Sequence, residues 1–451
     1  MRSRRADQGD ENMKEYTDKT RGKGHVRGRK TGRMAWLCIC ALAAAGCGEQ
    51  AGDAGSDGGG RQAMDGVASG VVSALYDPDH AAPGQTEAGE PDNPADRTEQ
   101  TAEKRERNSA GEELIFWYGE PSYRDFFEEA ARRYNEETGA RVTAKYCEAM
   151  DYPGEIYDKT MQDDAFPDVY LIPGDNLEEM YLYGLASVNE TGNTGAGILE
   201  KAAAAATYRG KSVGYPLSFN TCVFVFQTGY FETAPDSIQA IIDYARENEP
   251  AEHTEYLLEW DVNDAFYDFP FISNSVTFEK TERESMTVSY NEELYRQGLA
   301  FFEEILESFS VDAQKVSEDS IIENFLAGRT LCAIIDTDSL YRLDGYTYSL
   351  MEIPALNAEL DAAPCAITDM LVVNAFSEKG DLAADFATFV TVDLAAELYG
   401  KTGHYSVIPP AQPDPIAETA YKAYETAVPA PDSQDAKDFW AGLRETIAQY
   451  F

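Results

Sequence analysis

The chain has 451 residues, 37 Lys and Arg against 80 Asp and Glu, a formal net charge of −43 and 43% hydrophobic residues. At roughly 100–200 residues per domain this is room for two to three folded units with a sizeable core, and wholesale disorder is excluded. So acidic a surface repels phosphate and anionic lipid, which excludes nucleic acid as a partner; plain solubility explains the excess, with a steered cationic ligand as the alternative.

Residues 1–46 run against this trend, with 11 basic and five acidic residues. Arg27, Arg29, Lys30 and Arg33 precede an uncharged run from Met34 to Gly46, followed by Cys47. A basic stretch, a short apolar run and small residues before a cleavage point form a secretory leader. Thirteen residues reach only ~20 Å as a helix against a ~30 Å hydrocarbon core, so a permanent span is not expected. Ala44-Ala45-Gly46 before Cys47 resembles a bacterial lipoprotein signal, with Ala44 where such signals usually carry Leu, and implies lipid attachment at Cys47. An ordinary secretory signal is the alternative, and either Met1 or Met13 can serve as the start.

Residues 48–111 are rich in Gly, Ala, Asp, Glu, Pro and Gln and cannot bury enough apolar surface to offset their ordering entropy. They read as an acidic tether that spans on the order of 45 Å as a flexible coil. Of the remaining cysteines, Cys147, Cys222, Cys332 and Cys365 show no Cys-x-x-Cys pair and read as small buried hydrophobes, not as a disulfide framework or zinc site.

Order begins with the strand-like run Leu114–Tyr118, bounded by Gly119 and Pro121. Ser122 is placed to cap a helix whose Phe126, Phe127, Ala130, Ala131 and Tyr134 share one face, and Gly139 stops it. Val142, Ala144 and Tyr146 alternate as a second strand, and 166–172 gives a third. This order predicts an α/β sheet with crossover helices.

These segments carry a family resemblance. Leu114–Gly119, the Phe-x-Glu-x-Ala-x-x-Tyr-Asn-Glu-Glu-Thr-Gly-Ala-Arg-Val stretch ending at Val142, and Phe166-Pro167-Asp168-Val169-Tyr170 resemble the opening of the extracellular solute-binding proteins of carbohydrate ABC transporters, in particular their maltodextrin-binding branch. The likeness continues at Tyr208–Leu217, Phe325–Thr330, Leu371–Ser377 and Phe439–Arg444, and so covers about residues 112–451. It implies a two-lobe periplasmic-binding-protein-like α/β fold of type II with hinge-linked, discontinuous lobes: residues 112–218 with 366–410, and 219–365 with 411–451. It further implies a monomeric, extracytoplasmic binding subunit that passes a sugar or oligosaccharide to membrane permease subunits, without catalysis and without cofactor. A non-sugar solute, a sensor partner, or a surface-anchored glycoside hydrolase are the alternatives.

Sugar sites pair aromatic faces with carboxylates and guanidinium groups that bridge hydroxyls. Position by position, the resemblance marks Glu120, Asp175, Asn220, Asp264, Phe266, Asp338, Trp440 and Arg444 as ligand-binding, with the aromatic platforms less well kept than the polar groups. Trp440 and Arg444 stand four apart, on one helix face.

Other motifs fail. Gly210-Lys211-Ser212 lacks the earlier Gly of a phosphate loop, since Ala205 stands there, and reads as a hairpin turn. Asp336-Thr337-Asp338 opens like a calcium loop but has Leu340 and Tyr341 where a ligand and the turn Gly belong. His25, His80, His253 and His404 are too scattered along the chain to suggest a metal site or catalytic triad.

Overall fold

The computed structural model describes residues 111–451 apart from 149–151, 163–164, 191, 194–196, 232, 249–252, 281–285, 310 and 432. The leader, Cys47 and the tether as far as residue 110 lie outside the described residues. The strands are β1 (Glu113–Tyr118), β2 (Arg141–Tyr146), β3 (Val169–Pro173), β4 (Thr207–Tyr208), β5 (Lys211–Ser212), β6 (Tyr215–Gln227), β7 (Tyr256–Glu259), β8 (Val276–Lys280), β9 (Met286–Tyr290), β10 (Thr330–Asp336), β11 (Tyr348–Met351), β12 (Cys365–Val373), β13 (Tyr405–Ser406) and β14 (Val428–Pro429).

Ten of these make one mixed sheet in the order β2-β1-β3-β12-β6-β10-β7, with β11 and β13 added on β6 and β14 on β12. β1 pairs in parallel with both β2 and β3 because helices Arg124–Thr138 and Tyr152–Met161 carry the chain back each time. The second of these helices was not expected from sequence. The first buries the expected Phe126, Phe127, Ala130, Ala131 and Tyr134, and Gly139 ends it at φ 74°. Ser122 does not cap it. It lies in a 3-10 turn, Pro121–Tyr123, and its hydroxyl is used elsewhere.

β6 is the organising strand. It is buried along nearly its whole length, and at about 3.3 Å per residue its 13 residues reach ~40 Å. Tyr215 to Thr221 pair with β12, whereas Cys222 to Phe226 pair with β10. Two cores flank it. Phe116, Phe127, Tyr134, Leu371 and Phe386 belong to one; Phe219, Val223, Phe325, Ile335 and Tyr424 belong to the other. The strand therefore carries the chain from one core to the next, changing partners between Thr221 and Cys222.

β4 and β5 form the expected hairpin, with Arg209 and Gly210 both at positive φ (50° and 68°) as a two-residue turn matched to strand twist requires. Near the C-terminus, Ser433 accepts from Ala436 N at 3.2 Å and starts helix Gln434–Ile447, which buries Ala436, Phe439, Trp440, Leu443 and Ile447 at three- and four-residue spacing. Trp260, uninformative in sequence, is a core ring that donates to Asp268 at 2.9 Å.

Candidate functional site

Successive residues of a strand point to opposite faces, and around the partner switch β6 and β12 use this to separate polar from apolar. On the polar face Asn220 donates through Nδ2 to Asp336 Oδ2 at 3.0 Å and accepts from Thr337 Oγ1 at 3.1 Å. Ser218 Oγ lies 2.6 Å from Tyr123 OH, which donates to Asp369 Oδ2 at 2.7 Å. On the other face Phe219 stacks on Tyr424 with ring centroids 4.3 Å apart, and Thr368 meets the Tyr424 hydroxyl at 2.7 Å.

A chain of close polar contacts extends the polar face. Ser122 Oγ lies 2.7 Å from His404 Nε2, and His404 Nδ1 lies 2.8 Å from Asp338 Oδ1. His404 is 3% exposed and its ring stacks on Tyr123 at 4.3 Å. This ties together the segment after β1, the residue before β13 and the turn after β10. Of the four histidines only His404 takes part, and folding joins residues 282 positions apart, a pairing that no local spacing signals. The order Ser–His–Asp matches a nucleophile, base and orienting acid. However, Ser122 N–H is donated to Glu120 Oε1 at 3.1 Å. The Ser122 backbone donor is thus held by a carboxylate within its own turn.

Burial raises two carboxyls here. The Asp369 carboxyl is pushed up to about 7, chiefly by desolvation and next by Asp338, with Glu120 adding a little and the Tyr123 hydroxyl and His404 opposing. Asp264 caps helix Ala265–Asp268 by accepting from Phe266 N at 3.0 Å. Its carboxyl is pushed up to about 6 by burial, against the pull of its cap bond and Arg444 and with the help of Asp261 and Asp336. Asp336 at the end of β10 is thus bonded to Asn220 and its charge also reaches Asp264.

The sequence-marked residues divide accordingly. Glu120, Asn220 and Asp338 share one network, and Asp264 and Arg444 adjoin it through Asp336. Phe266 is buried, with its ring edge-on to Tyr267 and its carbonyl accepting from Cys222 Sγ at 3.7 Å. Trp440 is 2% exposed, wedged between Phe269 and Phe439 at 5.3 and 4.9 Å, and its Nε1 has no hydrogen-bond partner. The ring packs instead of presenting an open stacking face, contrary to expectation, because the aromatic stripe of this helix docks on the Ala265–Phe271 segment. Ser122, Tyr123, Asp336, Asp369 and His404 were not marked from sequence. Of these, Asp336 at the end of β10 was visible only as a false calcium motif.

Asp175 stands apart. It lies in the turn after β3, 8% exposed, its carboxyl pushed up to about 6 by burial against the pull of Lys437, whose ammonium pairs with Glu179. Asp175 lines a cavity of about 470 Å³ together with Tyr208, Phe278, Thr368, Tyr424 and Val428. None of the other seven marked residues contributes to its wall. Among the described residues no group of three or more His, Cys, Asp and Glu is arranged to hold a metal ion, no helix is long and apolar enough to cross a membrane, and Cys147, Cys222, Cys332 and Cys365 are free thiols.

Comparison with known proteins decides the family. Residues 129–428 match the model of the bacterial extracellular solute-binding proteins. The chain belongs to that family. It is 21% identical to the maltodextrin-binding protein MdxE of Bacillus subtilis, over 77% of this chain and 87% of that one. Among solved structures it resembles the extracellular solute-binding protein of Staphylococcus aureus in complex with maltose (TM-score 0.62, 15% identity, 76% of this chain and 93% of that one). It also resembles the GacH receptor of Streptomyces glaucescens, solved unliganded and with acarbose (TM-score 0.64, 15% identity, 75% and 92%). The fold of this solute-binding protein is therefore the two-lobe type II α/β fold that the strand order and the long β6 suggest.

Proposed function

We propose that this solute-binding protein is the sugar- or oligosaccharide-binding subunit of an ABC importer, held at the outer face of the cell membrane by lipid on Cys47 and delivering its ligand to a membrane permease. The observation that carries the reading is the polar face at the β6 switch. There Glu120, Asn220 and Asp338 adjoin Asp264 and Arg444, so that acceptor carboxylates and a donor fork from separate segments converge where the strand passes between two cores. Sugar hydroxyls need such pairs. That MdxE binds maltodextrin and that the staphylococcal protein was solved with maltose support the same class. The lobes are taken as residues 112–218 with 366–410 and 219–365 with 411–451, closing around β6 and β12 when ligand adds contacts available only in the closed form. The protein acts as a monomer and performs no chemistry on its ligand.

A thermal-shift screen against mono- and oligosaccharides tests the reading, since a ligand that binds only the folded state raises its melting point. A maltooligosaccharide that raises it and titrates as one site supports the proposal; no shift with any saccharide removes it. Appearance of shortened products would instead support the glycosidase alternative, to which the raised carboxyls of Asp264 and Asp369 lend some chemistry. For the anchor, Cys47→Ser should move the protein from membranes to the soluble fraction; unchanged membrane association refutes lipid attachment.

A further inference from the structure

We propose that an exposed apolar patch at the end of the sheet where β1 and β3 begin, remote from the polar constellation, is the docking surface for the chain's own run Gly66–Tyr76. The docking depends on neither the sugar reading nor the anchor.

Ten large hydrophobic side chains stand exposed among the described residues. Six of them, Tyr157, Met161, Leu182, Tyr183, Val188 and Phe376, are 39% to 56% exposed and lie on segments that are bonded together. Asn374 donates through Nδ2 to Thr160 Oγ1 at 3.0 Å. Ala375 N–H donates to Leu185 O and Ser187 N–H to Val373 O, both at 2.9 Å. Met161 follows Thr160, Val188 follows Ser187 and Phe376 follows Ala375, while the rings of Tyr157 and Tyr183 meet at 5.3 Å.

Asp168, just before β3, fixes the place of this patch. It accepts from Ile115 N and donates its own N–H to Ile115 O, both at 2.8 Å, and its carbonyl accepts from Asn374 N at 2.9 Å. Glu120 and Asp175 follow the opposite ends of β1 and β3, so the length of a strand, ~15–20 Å, separates the patch from them.

Soluble monomers rarely leave a contiguous apolar patch to water unless something binds there. The chain enters the fold at this same end: Gly111 leads into β1, and its N–H donates to Gly139 O at 3.0 Å. Gly66–Tyr76, which lies outside the described residues, is the longest uncharged stretch of residues 48–110 and carries Val67, Val71, Val72, Leu75 and Tyr76 between Asp65 and Asp77. Too short to form a core alone, such a run gains from burial only against a surface supplied by a folded body. The link of residues 77–110 reaches roughly 30 Å as a coil and holds the run near the patch at an effective concentration on the order of millimolar. The net charge of −43 opposes a second copy or an anionic lipid surface there, whereas an uncharged run of the same chain meets no such repulsion. Docking leaves only residues 48–65 between Cys47 and the body; that consequence alone rests on the lipid attachment proposed above.

Hydrogen–deuterium exchange of the full chain tests the proposal. Relative to intrinsic rates, amides of Val67–Tyr76 should exchange at least tenfold more slowly than those of Ala81–Thr86, another uncharged stretch of the tether. Leu182→Ser combined with Phe376→Ser, both at exposed positions, should erase the difference, and melting curves establish that this variant is folded. Val71→Ser combined with Val72→Ser should erase it as well, without touching the folded body. Equal exchange of the two stretches overturns the docking, as does protection that survives either pair of substitutions. Protection lost on dilution would assign the patch to a second copy, and protection seen only with phosphatidylcholine vesicles would assign it to a membrane; either result overturns the proposal.

Discussion

The two faces of β6 and β12 at the partner switch are built from neighbouring residues yet obey opposite energetics. On one, Phe219 stacks with Tyr424 and Tyr405, and Thr368 satisfies the Tyr424 hydroxyl, so every group placed there gains from burial. On the other, Asp336, Asp338 and Asp369 are gathered with Asn220, Tyr123 and His404, and burial opposes the charge of the Asp369 carboxyl. The difference teaches where fold and function reside. The apolar face holds the two cores to one strand. The polar face bears a burial cost for its charge.

The comparison breaks first if the apolar face is not the stabilising one. Phe219→Ala removes a fully buried ring and should lower the unfolding free energy by about 3–5 kcal/mol. Trp440→Ala should do the same, as its ring is wedged between Phe269 and Phe439. Denaturant midpoints with unchanged slopes measure both. A loss below about 1 kcal/mol for Trp440→Ala, together with weakened sugar binding, would restore the stacking role that the resemblance implies for it.

The polar face should respond in the opposite way. Arg444→Ala should weaken the saccharide found by the thermal screen by about tenfold, on the order of 1.4 kcal/mol, and leave the melting point of the free protein nearly unchanged. Its charge acts only weakly on Asp264, which is held first by its own cap bond, so the loss should fall on ligand contacts more than on folding. Calorimetry paired with apo melting curves checks this. Normal affinity would remove Arg444 from the site.

Much of this division was legible in the sequence, and the rest was hidden for identifiable reasons. Strand β1, the helix face of Phe126 to Tyr134, its stop at Gly139 and the Tyr208–Lys211 hairpin follow from local pattern, and the structure keeps them. The polar types at Glu120, Asn220, Asp264, Asp338 and Arg444 were visible by resemblance. Ser122 looked like a helix cap because that is the local use of a serine before an apolar-periodic run; its partner His404 is supplied by tertiary structure. Trp440 was marked by resemblance, and neither that nor its spacing from Arg444 shows whether the shared face meets a cleft or a core. Asp369 sits in a run that reads as an ordinary buried strand, so nothing local marks it as a titrating group.

The smallest expected effect is also the one that separates the two faces most cleanly, because it depends on pH. In the fold the Asp369 carboxyl titrates at about 7, well above the ~3.9 of an unfolded Asp. The neutral form is therefore the one that the fold favours. Its contribution to stability is fully present below pH ~4 and is lost as pH rises through about 7. A gap of that size corresponds to at most about 4 kcal/mol, and the margin expected after relaxation around the buried carboxylate is on the order of 1–2 kcal/mol. Asp369→Asn keeps an acceptor for the Tyr123 hydroxyl but carries no proton to lose. The variant should match the wild type near pH 4 and exceed it by that margin at pH 8. Asp338, His404, Tyr123 and Glu120 face the same carboxyl and remain in both proteins, so the difference between the two pH profiles isolates Asp369 from their titration. Parallel profiles from pH 4 to 8 would mean that Asp369 stays ionised in the fold, and the polar face would then carry no burial cost for a ligand to offset.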